Sequence, residues 1–252
     1  MKKLLSLTAL AFVIALPTFA QRAPRAASQN FASDLQTLPV VANVPGVGST
    51  FQSYLSILNP TASAFTVTAS FYDSNGTKKT ASINLAAGEV KVYQNFLQEV
   101  FQSTGGGGVT FSAPESTGGQ HNNRFIIDSE VWTSGTRYGA SIPTVEFAGS
   151  NSRSFTGGIS VDTGHRTNAG CFNQSSVANK VTIKVLDASG KNTVGNAEIN
   201  LAANGWGQVP ILSVVTGGTL QFDPAEAVVC YASVVDNSTN DARFQVATEY
   251  LP

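Results

Sequence analysis

Alternation of apolar and polar residues is the main pattern along this chain. In FTVTASFYD (65–73) every second residue from Phe65 to Phe71 is apolar, and KVTIKVLD (180–187) repeats the pattern from Val181 to Val185. A repeat of two residues is the period of a half-buried β-strand and differs from the 3.6-residue period of a helix. The pattern therefore predicts an all-β protein.

The same reasoning predicts fourteen short strands and one short helix. Seven strands fall near 51–59, 65–73, 80–85, 89–93, 109–112, 124–133 and 138–143, and seven near 167–173, 181–187, 197–201, 207–210, 219–222, 228–236 and 243–250. The helix is predicted within 95–101, and the glycine run 105–108 is interpreted as a flexible hairpin tip. About seven strands per hundred residues, with turns between them, is typical of an antiparallel sandwich.

The pentapeptide INLAA occurs twice, at 83–87 and at 199–203, and it belongs to a longer internal repeat. Shifting the chain by 114 positions aligns Asn59 with Asn173, Asp73 with Asp187, and Gly76 with Gly190. A two-residue insertion in the second copy follows, so the two INLAA segments are offset by 116 positions. We therefore expect two tandem antiparallel β-sandwich, Ig-like domains over 39–148 and 159–252, joined by a Gly-, Ser- and Asn-rich linker over 149–158.

The N-terminus has the features of a cleavable secretory signal over residues 1–20. Lys2 and Lys3 precede the apolar run 4–16, and small residues end the segment at Ala20, after which we expect cleavage. A membrane helix needs about 20 apolar residues, and Pro17 interrupts this run. The sequence thus predicts a secreted or periplasmic protein with no membrane insertion after cleavage, and a flexible N-terminal lead over 21–38.

Composition narrows the possible partners. Charged residues make up 12% of the chain, about half the usual share of roughly 25%. The net charge is −1, and removal of Lys2 and Lys3 leaves 13 basic against 16 acidic residues, or −3. This balance lacks the basic surface that nucleic-acid binding requires.

Cys171 and Cys230 are the two cysteines of the chain. In an oxidising compartment such a pair most simply forms a disulfide, whereas a metal or redox site would favour a C-x-x-C motif. In the repeat, Cys171 aligns with Ile57, and Cys230 corresponds by pattern to Ile127. We therefore expect a buried disulfide between two strands where the first domain has an Ile–Ile contact, stabilising by about 4 kcal/mol.

Several segments resemble a repeated module of secreted bacterial proteins of unknown function. They are RTNAGCFN (166–173), VLDASG (185–190), YASVVDNSTNDARF (231–244), LSILNP (55–60) and YGASIPT (138–144). The similarity covers most of residues 40–252. It implies an exported tandem β-sandwich and brings no established activity with it.

The sequence favours a protein that is not an enzyme. His121 and His165 are the only histidines, and the chain contains neither G-x-S-x-G nor H-E-x-x-H. Asp128 and Glu130, two apart on one strand face, form a candidate carboxylate pair for glycoside hydrolysis. The simpler interpretation is that both are solvated carboxylates on an exposed face.

Three candidates for a binding function remain open. The loop DNSTND offers Asp236, Ser238, Asn240 and Asp241 as a candidate calcium site, against a capped turn. The aromatic residues Trp132, Tyr138 and Trp206 are candidates for a sugar-stacking face, although such rings more often pack in cores. Exposed strand edges or faces are the third candidate, as docking surfaces for another protein.

We therefore expect a non-catalytic exported binding or structural module, acting by protein interaction or adhesion in the periplasm or at the cell surface. Its partner would be an unidentified protein or glycan of the cell envelope, and calcium is the one candidate cofactor. The alternative is a carbohydrate-binding or carbohydrate-active protein.

Overall fold

The computed structural model describes residues 32–46, 49–115, 122–133, 139–146 and 151–249. Within these ranges the chain forms seventeen strands and one short helix, which confirms the all-β prediction. The predicted signal peptide, His121, Tyr138 and residues 149–150 lie outside the described residues. No helix in the described part of the chain is long and apolar enough to span a membrane.

The elements follow one another along the chain with short connections. They are β1 (Leu35–Pro45), β2 (Thr50–Leu58), β3 (Phe65–Tyr72), β4 (Lys78–Leu85), β5 (Val90–Tyr93), α1 (Phe96–Phe101), β6 (Gly105–Ser112), β7 (Ile126–Thr133), β8 (Gly139–Ser141), β9 (Ser154–Val161), β10 (His165–Asn173), β11 (Asn179–Leu186), β12 (Thr193–Leu201), β13 (Trp206–Ile211), β14 (Val215–Pro224), β15 (Val228–Asp236), β16 (Ala242–Val246) and β17 (Thr248–Glu249). Each predicted strand overlaps an observed one, and the predicted helix is confirmed.

The strands form three open antiparallel sheets. The eight-stranded sheet has the order β4-β3-β6-β1-β2-β7-β8, with β5 paired to β2. The four-stranded sheet has the order β13-β10-β15-β16, and the five-stranded sheet the order β12-β11-β14-β9-β17. The first half of the chain thus builds one large sheet, and the second half builds two smaller ones.

Strand β1 lies at the centre of the eight-stranded sheet and was not predicted. It pairs with β6 on one side and β2 on the other, with a register shift between Leu38 and Val41. Residues 36–42 are all buried, so the segment lacks the alternation by which half-buried strands are recognised. The predicted flexible lead, 21–38, therefore overlaps a core strand from Leu35 onwards.

Strand β9 also differs from the sequence expectation. It pairs with β14 over residues 154–161, so residues 154–158 of the predicted linker belong to a strand. Four glycines and serines in this segment obscure its apolar positions, of which Ile159 is fully buried.

The interpretation of residues 105–108 as a hairpin tip was wrong. These glycines open β6 and pair with β1 and β3 in the middle of the eight-stranded sheet. Glycine weakens a strand unless another group must approach the backbone closely. Here two aromatic side chains from the second half of the chain approach it, as described below.

Two hydrophobic clusters form the core, one within the first half and one between the four- and five-stranded sheets. The predicted disulfide between Cys171 and Cys230 is confirmed, and the two residues lie directly opposite each other on β10 and β15 with their Cα atoms 4.1 Å apart. In the first half, Ile57 and Ile127 are opposite each other on β2 and β7, and both are buried.

Candidate functional site

The four-stranded sheet is covered on both faces. Alternate residues such as Cys171 and Cys230 face the five-stranded sheet and belong to its core. The residues that alternate with them along β10 and β15, including Phe172 and Tyr231, face the first half of the chain. Tyr231 belongs to the core cluster of that half. The second half therefore packs on the first through a complete sheet face.

Glycines of β6 make this close packing possible. A Cβ atom on Gly106 would lie 2.9 Å from the Trp206 ring, and a Cβ atom on Gly108 would lie 2.4 Å from Cγ of Phe172. Gly106 and Gly108 are two residues apart, so they lie on the same face of the strand. The glycine run is thus a flat surface that receives two aromatic rings from the second half.

Hydrogen bonds and ring contacts hold the two halves together around this surface. The Trp206 backbone N–H donates to the carbonyl oxygen of Asp73 at 3.2 Å, and Gln174 Nε2 donates to Thr37 Oγ1 at 2.9 Å. The rings of Tyr72 and Phe172 lie 5.7 Å apart. These contacts tie loops and strands of the first half to the four-stranded sheet.

A cavity of about 270 Å³ remains between the two halves, and we call it the junction cavity. Its first wall comes from β1, β2, β7 and β8 and is apolar. The side chains of that wall include Val40, Val41, Ala42, Val44, Phe51, Val131, Ala140 and Ile142. Binding cavities for small ligands commonly lie between domains and are mostly apolar.

The second wall is the face of the four-stranded sheet that is turned towards the first half of the chain. Asn168 and Ser233 lie directly opposite each other on β10 and β15, two pairs along from Gly170 and Tyr231. Phe244 lies opposite Ser233 on β16. Arg166, Trp206, Gln208, Val235, Asn240 and Ala242 complete the lining of this wall.

The aromatic end of the cavity is held by Tyr231. Its hydroxyl accepts a hydrogen bond from Trp206 Nε1 at 3.2 Å and donates one to Gln208 Oε1 at 2.9 Å. Its ring stacks on Phe244 with centroids 4.6 Å apart, and Gly170 leaves room for it. Burial raises the pKa of Tyr231 well above its usual range, so the phenol stays neutral and keeps both hydrogen bonds.

The polar end of the cavity is formed around Arg166. Its guanidinium donates to Asn237 Oδ1 at 3.0 Å and to Asn240 Oδ1 at 2.9 Å. Arg166 is the one charged side chain among the residues that line the cavity. Both partners are neutral amides, so the positive charge of the guanidinium is not compensated by them.

An open groove of about 700 Å³ adjoins the cavity and shares Ala140, Ala242 and Phe244 with it. His165 lies in this groove, and its Nδ1 is 3.0 Å from Asp162 Oδ1. That hydrogen bond to His165 lowers the pKa of Asp162. Within the described residues, no hydroxyl group hydrogen-bonds to His165, so the arrangement of a nucleophile with its base is not formed there.

The predicted aromatic face is divided between two places. Trp206 lines the junction cavity, whereas Trp132 lies on β7 next to Val131 and so points to the opposite face of that strand. Trp132 Nε1 donates to the carbonyl oxygen of Gln94 at 3.3 Å. The two tryptophans are therefore not brought together, and Tyr138 lies outside the described residues.

Trp132 instead shares a face with the predicted carboxylates. Asp128 and Glu130 alternate with it on β7, and Tyr54 lies directly opposite Glu130 on β2. We call this surface, which belongs to β5, β2, β7 and β8, the open face. The strand order β5-β2-β7-β8 matches the order β13-β10-β15-β16 of the four-stranded sheet. The open face therefore corresponds to the face of the four-stranded sheet that packs on the first half.

The predicted calcium loop forms a hydrogen-bonded turn. The carboxylate of Asp236 accepts from the backbone N–H and the hydroxyl of Ser238, and from the backbone N–H of Thr239. The bonds to Ser238 are the main reason that the pKa of Asp236 is lowered to about 2. Asn240 accepts from Arg166, and Asp241 donates its backbone N–H to Thr239 Oγ1. Among the described residues no three His, Cys, Asp or Glu side chains form a metal-binding group. The calcium site stays a prediction.

Comparisons with known proteins give little guidance. No protein-family model matches the chain, and no curated protein matches it either. Among solved structures, a GH2 β-galacturonidase from Eisenbergiella tayi bound to galacturonate is similar over 79% of this chain and 35% of that protein, with 12% identity and a TM-score of 0.21. The chain thus spans about a third of that protein, and the likeness is too low to carry over fold or activity.

Sequence reasoning missed Arg166, Asn168, Gln208, Tyr231 and Phe244 as members of one site. A signal for this face is present in VVCYASVV (228–235), in which both alternating sets of positions are apolar except at Ser233. Such a run is typical of a strand that is covered on both faces. The predicted disulfide accounts for the set that includes Cys230, whereas the set that includes Tyr231 was given no role.

Proposed function

We propose that this chain is an exported, non-catalytic binding module whose ligand occupies the junction cavity. The observation that carries the proposal is the cavity itself, which has an apolar wall, an aromatic end and a few convergent polar groups. Concave, mostly apolar sites between domains are the usual places for ligands. The open groove adjoins the cavity and shares three wall residues with it, and the proposed path of the ligand from solvent is through that groove.

The proposed architecture is a tandem pair of Ig-like β-sandwiches built on one plan. Asn59 and Asn173 support it, because each is fully buried and each side chain donates to a corresponding pair of backbone carbonyls at 2.7–2.8 Å. The acceptors correspond at shifts of 114 and 116 residues: Ser63 and Ala86 for Asn59, and Val177 and Ala202 for Asn173. Two unrelated folds would not be expected to share such a network.

The turns support the same plan. Asp73 and Asp187 each accept a backbone hydrogen bond from the second residue after them, at 2.8 and 3.1 Å. Gly76 and Gly190 then follow with φ of 76° and 70°, a conformation that glycine adopts without strain. On this plan the Cys171–Cys230 disulfide takes the place of the Ile57–Ile127 pair.

Export is supported by the disulfide and by the N-terminal sequence. Structural disulfides form and persist in oxidising compartments, and residues 1–20 have the composition of a secretory signal. The proposed location is the periplasm or the cell exterior, where the ligand is presented by or taken from the cell envelope. The bound group is a small molecule or a protruding part of a protein or glycan.

A cavity-filling variant tests the proposal. Ser233→Leu adds a branched side chain in the middle of the cavity wall, whereas Ser82→Leu makes the same change on an exposed position of β4. The signal-free, oxidised proteins would be screened against a library of small molecules by thermal shift. We expect the screen to find compounds that raise the unfolding temperature of the wild type and of Ser82→Leu but leave that of Ser233→Leu unchanged.

Two outcomes contradict the proposal. One is a broad library in which no compound stabilises the wild type. The other is a set of compounds that stabilise Ser233→Leu as much as the wild type, since their site would then lie elsewhere on the molecule.

A carbohydrate-binding function is the second candidate, and the open face favours it. Tyr54 and Trp132 place two half-buried rings beside Asp128 and Glu130 on adjacent strands, and rings with neighbouring polar groups suit sugar binding. Affinity electrophoresis against a panel of polysaccharides tests this candidate. The matched control is Leu212→Ala, which changes an exposed side chain away from the open face. Retardation that Trp132→Ala abolishes and Leu212→Ala preserves would support this candidate, whereas equal mobility of all three proteins in every gel would contradict it.

A further inference from the structure

We infer that the junction cavity recognises an amphipathic carboxylate, with the carboxylate at Arg166 and an apolar or aromatic body against Trp206, Tyr231 and Phe244. The inference rests on the proposed function, because it assigns the chemical class of the ligand to the same cavity. It depends on three independent features of the walls, which are charge, unpaired polar atoms and shape.

The charge of the cavity is positive at one end. Arg166 is half-buried, and its two partners, Asn237 and Asn240, are neutral amides. The carboxylate of Asp236, in the same loop, is directed elsewhere and accepts from Ser238 and Thr239. A partly desolvated cation without a counter-ion is costly, and an anionic ligand group would remove that cost.

Polar atoms around Arg166 have capacity to bind. A guanidinium has five N–H donors, and two of those of Arg166 are used by the asparagines. The side chains of Asn168 and Ser233 line the cavity and form no hydrogen bond with any residue that the structure describes. Asn168 and Ser233 lie opposite each other on adjacent strands, and Asn168 is two residues from Arg166 on β10, so all three side chains lie on the same face of the sheet. Arginine with nearby neutral donors is a common arrangement for carboxylate recognition.

The other end of the cavity is apolar. Trp206, Tyr231 and Phe244 form a continuous aromatic wall, and the hydroxyl of Tyr231 is already used by Trp206 and Gln208. The facing wall contributes aliphatic side chains such as Val41 and Ile142. A ligand that was polar along its whole length would leave its groups unsatisfied here.

The dimensions of the cavity limit the size of the ligand. Arg166 and Gly170, which marks the position of Tyr231, are four residues apart on β10, or about 13 Å at about 3.3 Å per residue. A volume of about 270 Å³ corresponds to about nine water molecules at about 30 Å³ each. A molecule of about a dozen non-hydrogen atoms, with a ring at one end and a carboxylate at the other, meets both limits.

A matched pair of probes tests the inference. The chain has two tryptophans, so Trp132→Phe leaves Trp206 as the fluorescent reporter in the cavity wall. This protein would be titrated with 4-phenylbutyrate and with its neutral amide, 4-phenylbutyramide. We expect the carboxylate to change the emission with a Kd of about 0.1–1 mM, and the amide to bind about tenfold or more weakly.

Substitutions at Arg166 separate charge from shape. Arg166→Gln should bring the two probes to equal affinity, whereas Arg166→Lys should retain part of the preference for the carboxylate, since it keeps the charge but not the planar donors. If the protein that retains Arg166 binds the two probes with equal affinity, the carboxylate assignment is overturned and the cavity stays a ligand site. Failure of both probes to change the emission would overturn the inferred ligand class, whereas the library screen with Ser233→Leu decides whether the cavity is a ligand site.

Discussion

Gly108→Ala should destabilise the protein by forcing apart the two halves of the chain. Gly108 lies on β6 under the ring of Phe172, and a new Cβ atom would lie 2.4 Å from Cγ of that ring. Ordinary carbon–carbon contacts are about 3.5–4.0 Å. The overlap therefore exceeds about 1 Å, and Cγ cannot swing aside as the end of a long side chain can.

The expected cost is that of an overpacked core, about 1–3 kcal/mol in the free energy of unfolding. Any tolerated Gly→Ala change also stabilises by about 0.4–1 kcal/mol through the unfolded chain. Gly157→Ala on β9 is the matched control, because a Cβ atom there meets nothing within 4 Å. Its free energy of unfolding should stay equal or rise slightly.

Urea unfolding followed by tryptophan fluorescence and circular dichroism measures both variants. The clash is tested further with Phe172→Ala, which removes Cγ and both Cδ atoms from above Gly108. If the clash is the cause, Gly108→Ala should cost at least about 1 kcal/mol less in the Phe172→Ala background than alone. Equal stability of Gly108→Ala and Gly157→Ala would refute the reasoning, and so would a cost that Phe172→Ala leaves unchanged.

Three further predictions address other parts of the structure. Replacement of both Cys171 and Cys230 by Ala should lower the free energy of unfolding by about 4 kcal/mol, and an unchanged urea midpoint would contradict this. Carboxyl NMR should show a pKa of about 2 for Asp187, because the hydroxyl of Ser189 donates to its carboxylate. The ionised carboxylate then stabilises the fold above about pH 4, and this stabilisation is lost as the pH falls towards 2. Ser189→Ala should raise the pKa of Asp187. Tyr231→Phe should cost about 1–3 kcal/mol, because it leaves the indole N–H without its acceptor, and equal urea midpoints of the variant and the wild type would contradict the role of the hydroxyl.

Most strands could be predicted because they are half-buried. Along β3 and β11 one face is core and the other is polar, so the period of two is visible in the sequence. The repeat then allowed Ile57 and Ile127 to be predicted as the counterparts of the cysteines, because side-chain direction follows from position along a strand.

Elements covered on both faces could not be predicted in this way. Residues 36–42 of β1 are buried throughout, and the apolar positions of β15 serve two different cores. The glycine run 105–108 carries no hydrophobic pattern, and its role depends on the rings of Phe172 and Trp206, which are distant in sequence. The junction cavity arises from packing between sheets, so no local pattern encodes it.

The most direct test of a ligand site in the junction cavity is an NMR titration of the ¹⁵N-labelled, signal-free protein with 4-phenylbutyrate. The predicted result is a set of amide shifts concentrated in 166–170 of β10 and 231–235 of β15, with saturation at the Kd found by fluorescence. Shifts concentrated around Tyr54 and Trp132 on the open face, with β10 and β15 unchanged, would contradict the assignment of the cavity.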